Sequence, residues 1–199
     1  MAYRRTAAVE QRLEDRRAAI AAAAVALLSE HGYRALSIAA VAERAGVATG
    51  TVYRHYTDKS ELMVRIFRDL CTREVEAVTT AASAAGSGTG KVAAIVETFA
   101  QRALRNPRLA YTLLAEPVDA ALDAERLVLR RAFAAAFADA IGFGIGTGEF
   151  PEQDAGLAAA ALVGAVGEVL TDPLHIGAAA AGTVPDLTAF ALRALGVPR

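Results

Sequence analysis

The side chains best suited to polar chemistry gather in one short stretch, GVATGTVYRHYTDKSELM, residues 46–63, of a chain otherwise dominated by alanine and leucine. Threonines, two tyrosines, an arginine, a histidine and a lysine lie there within a few turns of one another. Hydroxyls, a guanidinium and an ammonium are mostly hydrogen-bond donors, and phosphate oxygens and base edges are partners that call for donors. Catalysis fits the residues less well. No paired acids and no nucleophile with a neighbouring base stand out, and His31, His55 and His175 lack metal-ligand spacing. The single cysteine, Cys71, excludes an intrachain disulfide and a Cys-cluster zinc site. No cofactor is expected, and the chain is not expected to be an enzyme.

The elements that must position this stretch are helices. Ile20, Ala24, Leu27 and Leu28 recur on one face of a first helix that stops at His31-Gly32. Ser37 can cap a second helix running to about Ala45, with Ile38, Val41, Ala42 and Ala45 on its apolar side, and Gly46 then breaks it. A short third helix spans Thr49 to Tyr56. Asp58 and Glu61 have capping-box spacing ahead of Leu62, Ile66, Phe67, Leu70 and Cys71, which predicts a long fourth helix to about Thr80. Residues 83–90, SAAGSGTG, read as a connector. Further helices are expected near 91–105, 107–114, 118–146, 152–172 and 185–195, with Pro107 and Pro151 in first turns and 177–182 as loop. No segment shows strand alternation over a useful length.

Two short helices joined by a tight turn at Gly46 match a helix-turn-helix. Ala42 is small enough for the helices to cross, Gly46 permits a left-handed turn, and Val47 and Val52 can pin the third helix. With the apolar residues inward, Thr49, Gly50, Tyr53 and Arg54 point outward near the start of that helix, while His55 and Lys59 extend the polar edge. Arg4, Arg5, Arg12, Arg16 and Arg17 could follow the minor groove or flanking phosphates. Because Glu10, Glu14 and Asp15 are interspersed with them, an ordinary solvated helix start is the favoured reading.

The stretch from Leu36 to Met63, LSIAAVAERAGVATGTVYRHYTDKSELM, resembles the DNA-binding signature of TetR-family transcriptional regulators, including the Tyr-x-His-aromatic run Tyr53-Arg54-His55-Tyr56. The resemblance is strong over roughly residues 17–70, and weaker in YTLLAEPVDAALDAERLVLRR and GTGEFPEQD. It implies an all-α fold, with a three-helix DNA-binding domain over residues 1–60 and a helical bundle for ligand binding and dimerisation over residues 61–199. It also implies that Thr49, Gly50 and Thr51 lie at bases or backbone, that Tyr53, His55 and Lys59 grip phosphates, and that Ser37 touches the flanking backbone. Tyr56 falls at the buried aromatic position. Arg54 falls at a variable position, where reading guanine is chemically open to it.

A regulator needs an input, and an alanine-rich bundle can leave a cavity where small side chains fail to fill space. Phe99, Tyr111, Phe133 and Phe137 are candidate wall residues, although their spacing is also what any packed helix shows. Arg102, Arg130 and His175 could add polar specificity, but surface placement is favoured for all three. IGFGIGTG, residues 141–148, lacks a preceding strand and a Walker lysine, so it reads as a loosely wound helix end. The last two long helices are apolar around most of their circumference, and the resemblance implies that they pair with a second copy. A homodimer would set two recognition helices about 34 Å apart, or a multiple of that, on a palindromic double-stranded DNA operator. The resemblance further implies release by a small-molecule effector, with the fourth helix as lever. The rival reading is an all-helical carrier or enzyme that retains the head.

The bulk numbers agree with such a division. Residues 1–70 hold 11 Arg and Lys against 8 Asp and Glu, whereas residues 71–199 hold 10 against 14, so a net charge of −1 conceals a mildly basic head on an acidic body. No apolar run is expected to reach the ~18 residues of a membrane span, because Ala18–Leu28 and Ala155–Gly167 are interrupted too early. The N-terminus mixes charges and lacks an apolar signal core, so a cytoplasmic location is expected.

Overall fold

The computed structural model describes residues 7–197; Arg4 and Arg5 therefore lie outside the described residues. Within them the chain folds as α1 (Ala7–His31), a single 3-10 turn (Tyr33–Ala35), α2 (Ile38–Arg44), α3 (Thr49–Tyr53), α4 (Lys59–Ala84), α5 (Gly88–Arg105), α6 (Pro107–Leu114), α7 (Ala120–Gly146), α8 (Ala155–Ile176) and α9 (Thr183–Ala194). No strand occurs among the described residues. The fold is all-α: α1–α3 form a small head, and α4 runs unbroken from the head into a bundle of α5–α9.

The starts of α2 and α4 are set by side-chain caps, each satisfying a backbone N–H that the helix itself cannot. Ser37 Oγ accepts from Ala40 N–H at 3.1 Å, and Asp58 Oδ1 accepts from Glu61 N–H at 2.8 Å. The reciprocal half of the expected capping box is displaced by one residue. The Glu61 carboxylate accepts from Thr57, through its N–H at 2.7 Å and its hydroxyl at 2.9 Å.

Three expectations are corrected. The connector 83–90 shrinks to residues 85–87, because α4 continues to Ala84 and α5 already begins at Gly88. Ser87 caps α5 through Gly90 N–H, and the Glu149 carboxylate takes Gly88 N–H at 2.7 Å and Thr89 N–H at 2.9 Å, so the glycine-rich stretch is wound rather than loose. Pro107 does open α6, but Pro151 lies before α8, which starts at Ala155 behind the Asp154 cap. The third correction concerns α8, which passes through Gly164 and Gly167 to Ile176 and is long and apolar enough, by length and composition, to cross a membrane. The expected apolar run stops at Gly167, yet glycine only weakens a helix whose inner face is packed. Here Ala159, Leu162, Val166, Leu170 and Leu174 of that helix are buried in the bundle.

The core is continuous from head to body. Ile20, Ala24 and Leu28 of α1 meet Val41, Ala42 and Val52 of the helix-turn-helix and Leu62, Met63 and Phe67 of α4, all almost fully buried. Each large side chain buried in this way contributes roughly 1.5–3 kcal/mol by transfer from water. Cys71 is buried as well; its surroundings and the nearby Glu74 and Glu125 push its thiol up to about 12, which makes it inert at neutral pH.

Candidate DNA-contact face and effector cavity

The turn at Gly46 has φ +66°, a left-handed conformation that a side chain would strain, and it lets Val47 N–H bond back to Ala42 carbonyl at 3.0 Å. This brings α3 across α2 with Val52 fully buried beneath it. Burial of that one side chain fixes the roll of a five-residue helix. Thr49, Gly50, Tyr53 and Arg54 are consequently exposed and Thr51 half-buried, with Tyr53 54% exposed and so not a core aromatic. Tyr56, by contrast, is buried at 3% exposure, where its ring closes the head. Ser37 is exposed at the start of α2, its hydroxyl engaged in the cap.

His55 sits half-buried at the end of α3. Burial, and then the positive field of Arg17, Arg16 and Arg54, hold its pKa below its ordinary value. The neutral ring is a single donor among three cations. Arg16 and Arg17 thus lie near the end of α3 although they sit some 40 residues earlier in the chain; alternation with acids masks them, and only the α1 face they share could reveal them.

Lys59 has a different setting from the one the resemblance implies. Its Nζ donates to the Tyr33 carbonyl at 3.1 Å and lies 3.9 Å from the centre of the Tyr33 ring. Tyr33 in turn is held by the body. Its N–H donates to Glu116 Oε2 at 3.0 Å and its hydroxyl to Asp119 Oδ2 at 2.6 Å. The Tyr33 bond holds the Asp119 carboxyl below the usual range, while burial and that carboxylate raise the Tyr33 hydroxyl above its own. Asn106 Nδ2 to Ser29 Oγ (2.9 Å) and Arg108 to the His31 carbonyl (3.1 Å) tie the end of α1 to α6. None of these junction residues was singled out by type or spacing.

A half-open cavity of about 1110 Å³ lies between α5, α7 and α8, with the end of α6 at one side. Phe99, Phe133 and Phe137 line it, with Phe99 and Phe133 edge to face at 4.9 Å, joined by Val96, Val163 and Val166. Tyr111 does not line it; its ring lies 4.7 Å from that of His175. The reason is the roll of α6, which turns Leu114 to the cavity and Tyr111 towards α8. Arg102 is paired with Glu74 at 2.6 Å, and His175 is exposed. Arg130 and Arg131 are exposed on the rim and make no ion pair among the described residues. No residue of α4 lines the cavity. Among the described residues no group of three or more His, Cys, Asp or Glu is placed to hold a metal ion.

A short helix-turn-helix with an exposed donor-bearing helix is thus carried by a helical bundle with an apolar cleft. Residues 20–66 match the bacterial regulatory proteins of the tetR family. The transcriptional repressor KstR of Rhodococcus jostii is 49% identical over 51 residues, which cover 26% of this chain and 24% of that protein, so the likeness to this curated relative spans about a quarter of its length. Over the whole fold the chain is similar to the fatty acid degradation regulator FadR of Bacillus halodurans (TM-score 0.79, 22% identity, 92% of this chain and 97% of that one). It is also similar to FadR of Bacillus subtilis, solved with stearoyl-CoA (TM-score 0.77, 19% identity, 92% and 99%).

Proposed function

We propose that the chain is a ligand-responsive transcriptional repressor that acts in the cytoplasm as a homodimer on a palindromic operator. The observation that carries this reading is the exposed donor face of α3, Thr49, Gly50, Tyr53 and Arg54, rolled outward by the buried Val52. Thr49 and Gly50 lead the helix into the groove, Arg54 is free to reach a base edge, and Tyr53 with His55, Arg16 and Arg17 meets phosphates. Residues 1–60 are the reader and residues 61–199 the sensor. Dimerisation is supported by the outward apolar side chains of α8 and α9: Leu157, Val169 and Ile176 on the first, Phe190 on the second.

The effector that suits the cavity is a small molecule with an apolar body and an anionic end. Its body faces Phe99, Phe133 and Phe137, and its charge meets Arg130 and Arg131. Stearoyl-CoA, present in one FadR structure, has this character. A coupling of about 1–3 kcal/mol between the two sites is enough for a several-fold to hundredfold change in DNA affinity.

The test is selection from a random duplex pool at near-physiological salt, with Tyr53→Ala alongside. Enrichment of one palindrome by the native protein alone is the expected result. Equal, weak and sequence-blind binding by both proteins overturns the reader and favours a helical carrier.

A further inference from the structure

The cavity and the head are joined by one continuous set of hydrogen bonds, which meets α4 only at its first residue, Lys59. Arg126 lines the cavity with its side chain only 13% exposed, yet its guanidinium is turned to backbone. Nε donates to Leu113 carbonyl at 2.9 Å; Nη2 donates to the carbonyls of Thr112 at 2.8 Å and Glu116 at 2.6 Å; Nη1 donates to Asp123 at 2.9 Å. These carbonyls include two of the last, otherwise unsatisfied ones of α6 and one in the segment that leads to α7. The same segment carries Glu116, buried at 5% exposure and fixed by the Thr112 hydroxyl at 2.5 Å, and ends at Asp119. Glu116 and Asp119 are the two acceptors that hold Tyr33, whose carbonyl receives Lys59.

We infer that residues 112–119 form a strap through which the cavity governs the head, with Arg126 as its positioning residue on the cavity side and Tyr33 as its clamp on the head side. The inference rests on the effector reading above. An anionic group entering beside Arg126 offers an ionised oxygen pair that the guanidinium fork can take bidentately, in place of separate neutral carbonyls. Arg126 turns to the anion and the three carbonyls lose their common donor. Glu116 and Asp119 then shift with the strap, and Tyr33 loses the two bonds that set the start of α2 and, through Lys59, the start of α4. By linkage, DNA that holds the head in the clamped position weakens the anion to the same extent.

Amide exchange of the full-length protein, followed by NMR, tests this without any ligand. Arg126→Gln is expected to speed exchange of the Tyr33 amide by ~5-fold or more, the lower end of a working coupling, and Arg126→Lys to restore part of the protection. Leu129→Ala, on the same helix and also in the cavity wall, controls for general loss of stability. Unchanged exchange at Tyr33 in folded Arg126→Gln overturns the inference, as does equal acceleration by Leu129→Ala. If Arg126→Gln does not fold, Tyr33→Phe reads the strap from its other end. It removes only the hydroxyl bond to Asp119, and it must loosen the amides of Ala115 and Glu116, both bonded to Tyr111 carbonyl; unchanged exchange there overturns the inference. Stearoyl-CoA then serves as the probe in an operator titration, where Tyr33→Phe should bind it as the native protein does and lose the response. A native protein that binds no operator fails the reader alone, since the exchange results stand apart from DNA.

Discussion

The head and the body solve opposite problems with the same helices. In the head, short helices are held by few but specific devices: the Ser37 cap, the left-handed Gly46 and the plug of Val52. The outward side chains of α3 and its end include the donors Thr49, Tyr53 and Arg54. In the body, long helices built largely of alanine enclose an open chamber, and polar groups appear chiefly at its rim and at the seam with the head. A surface that reads a polyanion is specified atom by atom, whereas a chamber that takes an apolar molecule needs shape and volume. That difference explains why likeness to relatives is high in identity over the head and survives in the body as fold.

The largest effects should fall on the shared core and smaller ones on the chamber. Phe67→Ala, at a position 1% exposed where the head meets the body, is expected to cost about 3–5 kcal/mol in denaturant unfolding. Phe133→Ala, which already faces empty space, should cost less than Phe67→Ala and enlarge the chamber; equal losses would mean that the cavity is filled in solution. Next comes the reading face. Tyr53→Ala and Arg54→Ala should each weaken operator binding by about 1–3 kcal/mol, while their unfolding midpoints stay within ~0.5 kcal/mol of the native protein. Ser37→Ala should lower stability by about 1 kcal/mol through loss of the cap to Ala40, detected as a lower urea midpoint with unchanged slope.

The smallest effect concerns pH and belongs to the body alone. Two amides and two hydroxyls hold Glu149 to about 2, below its ordinary 4.5. A depressed carboxyl stabilises the fold above its unfolded value and loses that contribution as pH falls through the folded value. Acid titration of the native protein should therefore show a loss of stability between pH 4.5 and 2 that Glu149→Gln lacks. A midpoint shift confined to the head would contradict this assignment.

The helices, the turn and the outward set on α3 are legible in the sequence because caps and glycines act within a few residues and periodicity reports which side is buried. The start of α5 escapes the sequence for one reason: Gly88 looks like a breaker until Glu149, some 60 residues later, supplies acceptors for its first turn. Tyr33, Glu116 and Asp119 stay invisible for the same reason, since each is ordinary by itself and acquires meaning only where the turn after α1 meets the segment between α6 and α7. Tyr111 was placed in the wall by its type, while the roll of α6 decides otherwise.

Gly88 and Gly144 draw the far ends of α5 and α7 into backbone contact. A Cβ on Gly88 would stand 2.4 Å from Gly144 Cα, and one on Gly144 would strike the Phe150 ring at 2.3 Å. With Glu149 latched across the same corner, that pole of the bundle works as a fixed pivot. The opposite ends of the two helices, at Arg105 and Ala120, adjoin Asn106 and Asp119, where the body grips the head, so the two helices are held at both poles by unlike means: backbone contact at one and side-chain hydrogen bonds at the other.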